Sequence, residues 1–122
     1  MIGARRRVLL VEDEMLVALL LEDMLLELGC EVADAPGSLE EALSASRSGA
    51  FDLALLDLKL GGELTYPVAD ILKIRQIPFV FVTGYGSAAL DRAYAEIPVL
   101  EKPFHREDLR TTIARLLSDP RG

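Results

Sequence analysis

The sequence predicts an α/β fold, a doubly wound parallel sheet of five strands with helices on both faces. Three features predict it. Short apolar runs without polar alternation recur along the chain, as in strands covered on both sides. Stretches of helical spacing separate them. Gly, Pro or a capping residue marks almost every boundary. Parallel strands need a crossover between them, which a helix supplies.

Val8–Val11 is the first such run. Glu14–Leu28 then reads as a helix stopped by Gly29 at the C′ position. Cys30–Ala35 is a weaker strand, ended by Pro36-Gly37. Ser38-Leu39-Glu40-Glu41 is a capping box, opening a helix that runs to about Ser48, before Gly49. Phe51–Leu56 is the third strand. Gly61-Gly62 opens a loop, a helix near Val68–Arg75 follows, and Ile77-Pro78 ends it. Phe79–Val82 is the fourth strand, followed by Gly84-Tyr85-Gly86 and a short helix near Ala88–Ala95. Pro98–Leu100 is a short fifth strand. Leu109, Ile113, Leu116 and Leu117 fall at helical spacing and close the chain. No internal repeat, linker or low-complexity segment interrupts this pattern, so residues 1–122 read as a single domain.

Composition narrows the function. A chain of 122 residues supports one core and not two. Its 51% apolar content excludes a disordered chain. A net charge of −7 argues against nucleic acid or an anionic membrane as partner. Arg5-Arg6-Arg7, the one basic cluster, reads as a solvated lead-in. A lone Cys30 excludes an internal disulfide and, beside a single His, a Cys/His zinc site; it reads as a small buried apolar residue. Glu12-Asp13-Glu14 cuts the apolar stretch Val8–Leu28, which leaves no membrane span, and Val8–Val11 is too short for the apolar core of a signal peptide. A soluble cytoplasmic domain is expected.

Sheets of this class bind ligands at the carboxyl ends of their strands, beside a switch in strand order. Glu12-Asp13 follow the first strand, Asp57 the third, Thr83 the fourth and Lys102 the fifth. Carboxylates forced together are stable as anions only with a cation between them. Oxygen-only ligands with an open side suit a hard ion that keeps water, so Mg²⁺ is expected. A lysine and a hydroxyl across the same pocket could hold an anion against the metal. Metal, lysine and hydroxyl facing one carboxylate are the equipment for phosphoryl transfer onto that carboxylate.

With these residues in order, the sequence resembles a response-regulator receiver domain of bacterial two-component signalling. The resemblance rests on Glu12-Asp13 after Val8–Val11, Leu55-Leu56-Asp57, Thr83 after Phe79–Val82, and Lys102-Pro103-Phe104, and covers about residues 7–118. Phe79–Tyr85 also resembles the Phe-Ala-Thr-Gly-Tyr signature of a single-domain subfamily, with Val82 in place of the alanine. It implies a flavodoxin-like (βα)5 fold with Asp57 as the phosphoacceptor for a sensor histidine kinase. It implies Mg²⁺ held by Asp13, Asp57 and the main-chain carbonyl of Lys59, with Glu12 on a metal-bound water or on the ion itself. Lys102 and Thr83 would each contact a phosphoryl oxygen, and the Lys102-Pro103 bond would be cis. Such a protein catalyses only its own phosphorylation and dephosphorylation and is not otherwise an enzyme.

Three residues depart from the family pattern. Glu12 is longer than the more usual aspartate. Val99 stands where many receivers carry a switching Tyr or Phe, and Tyr85 is the nearest aromatic that could substitute. His105 occupies the expected cap of the last helix, where Ser or Asp would cap better, and is read as exposed and structural. Two competing motifs fail. Gly84–Ala89 matches G-x-G-x-x-A but follows the fourth strand rather than the first. A haloacid-dehalogenase reading of Asp57 needs a second acid where Lys59 stands.

The first helix carries a further signal. Val17, Leu21, Met24, Leu25 and Leu28 share the face that covers the sheet. Met15, Leu16, Leu19 and Leu26 fall on the opposite half, which marks a partner surface unless the last helix covers it. Two functions remain: a phosphorylation-switched receiver, or a degenerate receiver that binds partners without phosphorylation. Residues 1–122 hold no DNA-binding domain, so unless the native chain is longer, output is expected through an unidentified downstream protein or a phosphotransfer protein, and a homodimer remains open.

Overall fold

The computed structural model describes residues 5–84 and 90–118. Strands β1 (Arg6–Val11), β2 (Cys30–Asp34), β3 (Leu53–Asp57), β6 (Phe79–Thr83) and β7 (Val99–Glu101) form one parallel sheet in the order β2-β1-β3-β6-β7. Among the described residues four α-helices cross between or follow them: α1 (Met15–Glu27), α2 (Leu39–Ser48), α3 (Tyr66–Arg75) and α4 (Arg106–Ser118). The chain runs outward from β1 to β2, then returns to place β3 on the other side of β1. Strand order therefore switches between β1 and β3, the location expected for a ligand.

Side chains alternate across the sheet and build two cores. Val8, Leu10, Leu53, Leu55, Val80 and Val82 face Leu21, Met24 and Leu25 of α1 and Leu109, Ile113 and Leu116 of α4. Leu9, Val11, Ala54, Leu56, Phe79 and Phe81 face Ala42 of α2 and Val68, Ala69 and Leu72 of α3. Burial on both faces explains why these strands read as unbroken apolar runs. Cys30 is buried, as expected of it.

The structure amends the sequence reading at four places. The stretch around Gly61-Gly62 is a hairpin, with β4 (Lys59–Leu60) paired antiparallel to β5 (Glu63–Leu64). Its two glycines have φ of +60° and +83°, the left-handed pair that a two-residue hairpin turn requires. The helix expected near Ala88–Ala95 falls partly outside the described residues. Its described part is a single 3-10 turn, Arg92–Tyr94, with Pro98 shortly beyond to bar a longer helix. The capping box of α2 is half formed. Ser38 Oγ accepts from the Glu41 N–H at 3.2 Å, but Glu41 reaches the N–H of Gly37 at 3.3 Å rather than that of Ser38. Arg7 is more than a lead-in. Its guanidinium holds Glu31 at 2.7 Å and the Ala50 carbonyl at 3.0 Å, tying β1 to the start of β2 and of β3.

Helix α1 exposes the face identified from sequence. Met15 is 76% exposed, Leu16 81%, Leu19 55% and Leu26 46%, and Leu20, which the spacing did not single out, joins them at 51%. Helix α4 packs on β6 and β7 and meets α1 through the Glu27–Arg106 ion pair at 2.5 Å, leaving those side chains uncovered among the described residues. No helix among the described residues is long and apolar enough to cross a membrane.

Candidate functional site

The carboxyl ends of β1, β3, β6 and β7 converge on a cleft of about 400 Å³. Asp13, Asp57, Lys59, Thr83 and Lys102 line it with Glu14, Leu58, Gly62 and Gly84. Five of the six residues singled out from sequence thus border one cavity. The sixth, Glu12, sits just beneath it at 5% exposure. Another cavity, of about 440 Å³, opens at the opposite edge among Ile77, Pro78, Ile97 and Pro98, away from every carboxylate of this group.

Lys102 Nζ stands at the centre of the negative charge. It lies 3.3 Å from Glu12 Oε1, 3.6 Å from Asp57 Oδ2 and 3.7 Å from Glu14 Oε1. Its backbone N–H donates to the Thr83 carbonyl at 2.9 Å, which fixes its register against β6. The Lys102-Pro103 bond is cis, as expected. Glu14 was missed in the sequence, although its place in the run Glu12-Asp13-Glu14 was a signal for it.

The other acidic groups are held by backbone donors. Glu12 Oε2 accepts from the Glu14 N–H at 3.2 Å, at the start of α1. Asp57 Oδ1 accepts from the Lys59 N–H at 3.4 Å. Asp13 Oδ2 accepts from the Gly61 N–H at 2.7 Å, a contact that no local pattern announces across 48 residues. Thr83 is buried at the end of β6, at 2% exposure. Val99 joins a core in which Tyr66 and Tyr94 stack at 4.3 Å with Phe81 edge-on to both. Phe81 is the aromatic paired with Val99 in the sheet, with Tyr66 and Tyr94 edge-on to it, and Tyr85 lies outside the described residues. The Tyr94 hydroxyl donates to Asp70 at 2.6 Å, and this bond, with burial, pushes its pKa up to about 12. His105 is exposed, and its N–H donates to Asp108 at the start of α4.

Burial, reinforced by the nearby Asp57 charge, pushes the Glu12 carboxyl up to about 7. Burial likewise raises Asp57, against the pull of Lys102. For Lys102, burial acts downward, but Asp57 and Glu12 outweigh it and the net shift is upward. The cluster therefore carries less than its formal negative charge near neutral pH. A carboxyl with a higher pKa in the fold than in the unfolded chain favours the fold most when protonated. Glu12 therefore contributes stability that is fully present below about 4.5 and lost as pH rises through about 7. Asp57 acts in the same direction. The metal-free protein is expected to lose on the order of 1–3 kcal/mol between pH 5 and 8, and Glu12→Gln to flatten that profile. Urea midpoints across this range test it; a wild-type midpoint that rises with pH would contradict it.

One oxygen each of Glu12, Asp13 and Asp57 lie within 4.8 Å of one another. An all-oxygen set of this size, open to a cleft, fits a hard divalent cation. These three residues could hold a metal ion.

Comparison with known proteins decides the family. The response regulator receiver domain model matches residues 8–114. The chain belongs to that family. The receiver fold also matches solved structures over nearly the whole chain. SdrG from Sphingomonas melonis Fr1, known from a solution structure, superimposes with a TM-score of 0.83 at 39% identity, covering 95% of this chain and 99% of its own. The phyllosphere-induced regulator PhyR of Methylorubrum extorquens is 32% identical over 114 residues, 90% of this chain and 43% of PhyR. The transcriptional regulatory protein PdtaR of Mycobacterium tuberculosis is 31% identical over 117 residues, 93% of this chain and 57% of PdtaR. The receiver domain thus spans about half the length of these two curated relatives.

Proposed function

We propose that this receiver takes a phosphoryl group from a sensor histidine kinase onto Asp57 in a Mg²⁺-dependent reaction and then signals through protein contacts. The observation that carries the proposal is the Lys102 ammonium lying 3.6 Å from Asp57 Oδ2, with Thr83 lining the same cleft. A regulator role in PhyR and PdtaR, by their names, supports a signalling function.

In the proposed reaction a carboxylate oxygen of Asp57 attacks phosphorus in line with the P–N bond of a phosphohistidine. An acyl phosphate forms, the P–N bond breaks, and the released imidazole takes up a proton. Lys102 moves its pairing from the carboxylates to a phosphoryl oxygen, and the Thr83 hydroxyl donates to another. Glu12, Asp13, Asp57 and the Lys59 carbonyl would hold Mg²⁺, which when bound neutralises charge on the phosphoryl group. The domain acts catalytically only on itself, in gaining and losing its phosphoryl group. A cytoplasmic location goes with that proposed kinase partner.

Incubation with a small phosphodonor tests this reading without any partner. Acid-labile label is expected to form with Mg²⁺ and not to form when EDTA is present from the start. Absence of label with Mg²⁺ in a folded protein would favour the phosphorylation-independent binding module instead.

A further inference from the structure

Thr65 immediately precedes α3, at the position where a threonine ordinarily caps a helix by accepting from its first N–H groups. It makes no such bond. Its hydroxyl turns the other way and donates to the Asp57 carbonyl at 2.6 Å, with the Leu58 carbonyl at 3.1 Å. Its own N–H donates to the same Leu58 carbonyl at 3.0 Å. The residue is fully buried, at 0% exposure, so the direction of this hydroxyl is set by the fold and not by solvent.

The chain between Asp57 and Thr65 is the β4–β5 hairpin, and this hairpin touches two of the carboxylates. At its start the Lys59 N–H reaches Asp57 Oδ1. At its tip the Gly61 N–H reaches Asp13 Oδ2. Leu60, at 1% exposure, anchors it in the core. The hairpin therefore spans from the third strand to the acid that follows the first, and Thr65 closes it at the base.

We propose that Thr65 is the positioning residue of this site. Its hydroxyl fixes the backbone that leaves Asp57 and, through the hairpin, the spacing between Asp57 and Asp13. It acts on the metal site without touching it. The inference rests on the proposed phosphoacceptor function and deepens it. Outer partners of metal ligands commonly change metal affinity by about 10–100-fold when removed.

The test uses Thr65→Val, which keeps the shape and removes the donor, and Thr65→Ser, which keeps the donor. Mg²⁺ alone is titrated into each protein and followed by NMR shifts of the Asp13 and Gly61 amides. Labelling by a small phosphodonor is timed separately at saturating Mg²⁺. Thr65→Val is expected to bind Mg²⁺ about tenfold or more weakly, and Thr65→Ser to return to within about threefold of wild type. If Thr65→Val fails to fold, Thr65→Ala, which likewise lacks the donor, is read in its place. A folded variant of lower stability but unchanged Mg²⁺ affinity and labelling rate would overturn the proposal, leaving Thr65 a structural residue only. Wild-type protein that neither binds Mg²⁺ nor takes label would instead bring down the function on which the proposal rests.

Discussion

Asp57→Asn is expected to abolish acid-labile phosphorylation completely, from a kinase and from a small phosphodonor alike. The substitution keeps the size of the side chain and leaves the cleft in place, but an amide oxygen is not a nucleophile toward phosphorus. No neighbouring carboxylate is placed to take over. Glu12 lies beneath the cleft with one oxygen on Lys102 and the other on the Glu14 N–H. Asp13 has one oxygen on the Gly61 N–H and stands apart from Lys102. Asp57 alone among the cleft residues is in contact with the lysine and offers an oxygen to the metal cluster. Asp13→Asn should act differently. It removes a ligand charge and leaves the nucleophile, so it weakens Mg²⁺ binding and slows labelling without abolishing it. The time course of labelling distinguishes the two, and mass spectrometry locates any label. Undiminished label in Asp57→Asn, on any other residue, would refute the assignment of the phosphoacceptor.

Much of this site was legible because each residue follows a strand, and strands buried on both faces announce themselves as apolar runs. Asp57 and Thr83 end such runs, and Glu12 and Lys102 stand just beyond them, so their convergence follows from the topology alone. The structure adds what depends on contact between distant segments. Gly61 approaches Asp13 across 48 residues, and only the folded hairpin brings them together. Thr65 was not singled out, because the sequence does not show which way a hydroxyl points. The same limit applies at Val99. The sequence shows that an aromatic is missing there, but only the fold sets Val99 opposite Phe81, with the stacked Tyr66 of α3 and Tyr94 of the 3-10 turn edge-on to that ring. Helical spacing found the outward face of α1 but not Leu20. That residue lies at the flank of the stripe, and its exposure depends on how the helix is rotated against the sheet.

That outward face carries the second large expected effect. Leu16 is 81% exposed and Leu19 55%, on the first two turns of a helix whose N-terminus adjoins Glu12, Asp13 and the cleft. A phosphohistidine must enter that cleft, and a kinase that presents it on a helix would bring an apolar helix face against these leucines. Burying one leucine is worth about 1.5–3 kcal/mol. Losing two should therefore cost about two to four decades of affinity. Both side chains stand away from the cores, so Leu16→Ser/Leu19→Ser removes little that holds the fold. The variant is expected to lose transfer from its kinase while keeping its rate with a small phosphodonor, which needs no docking. Equal loss with both donors would mean that the fold was damaged. Full activity with both would show that the kinase docks elsewhere, leaving the apolar face of α1 to a different partner.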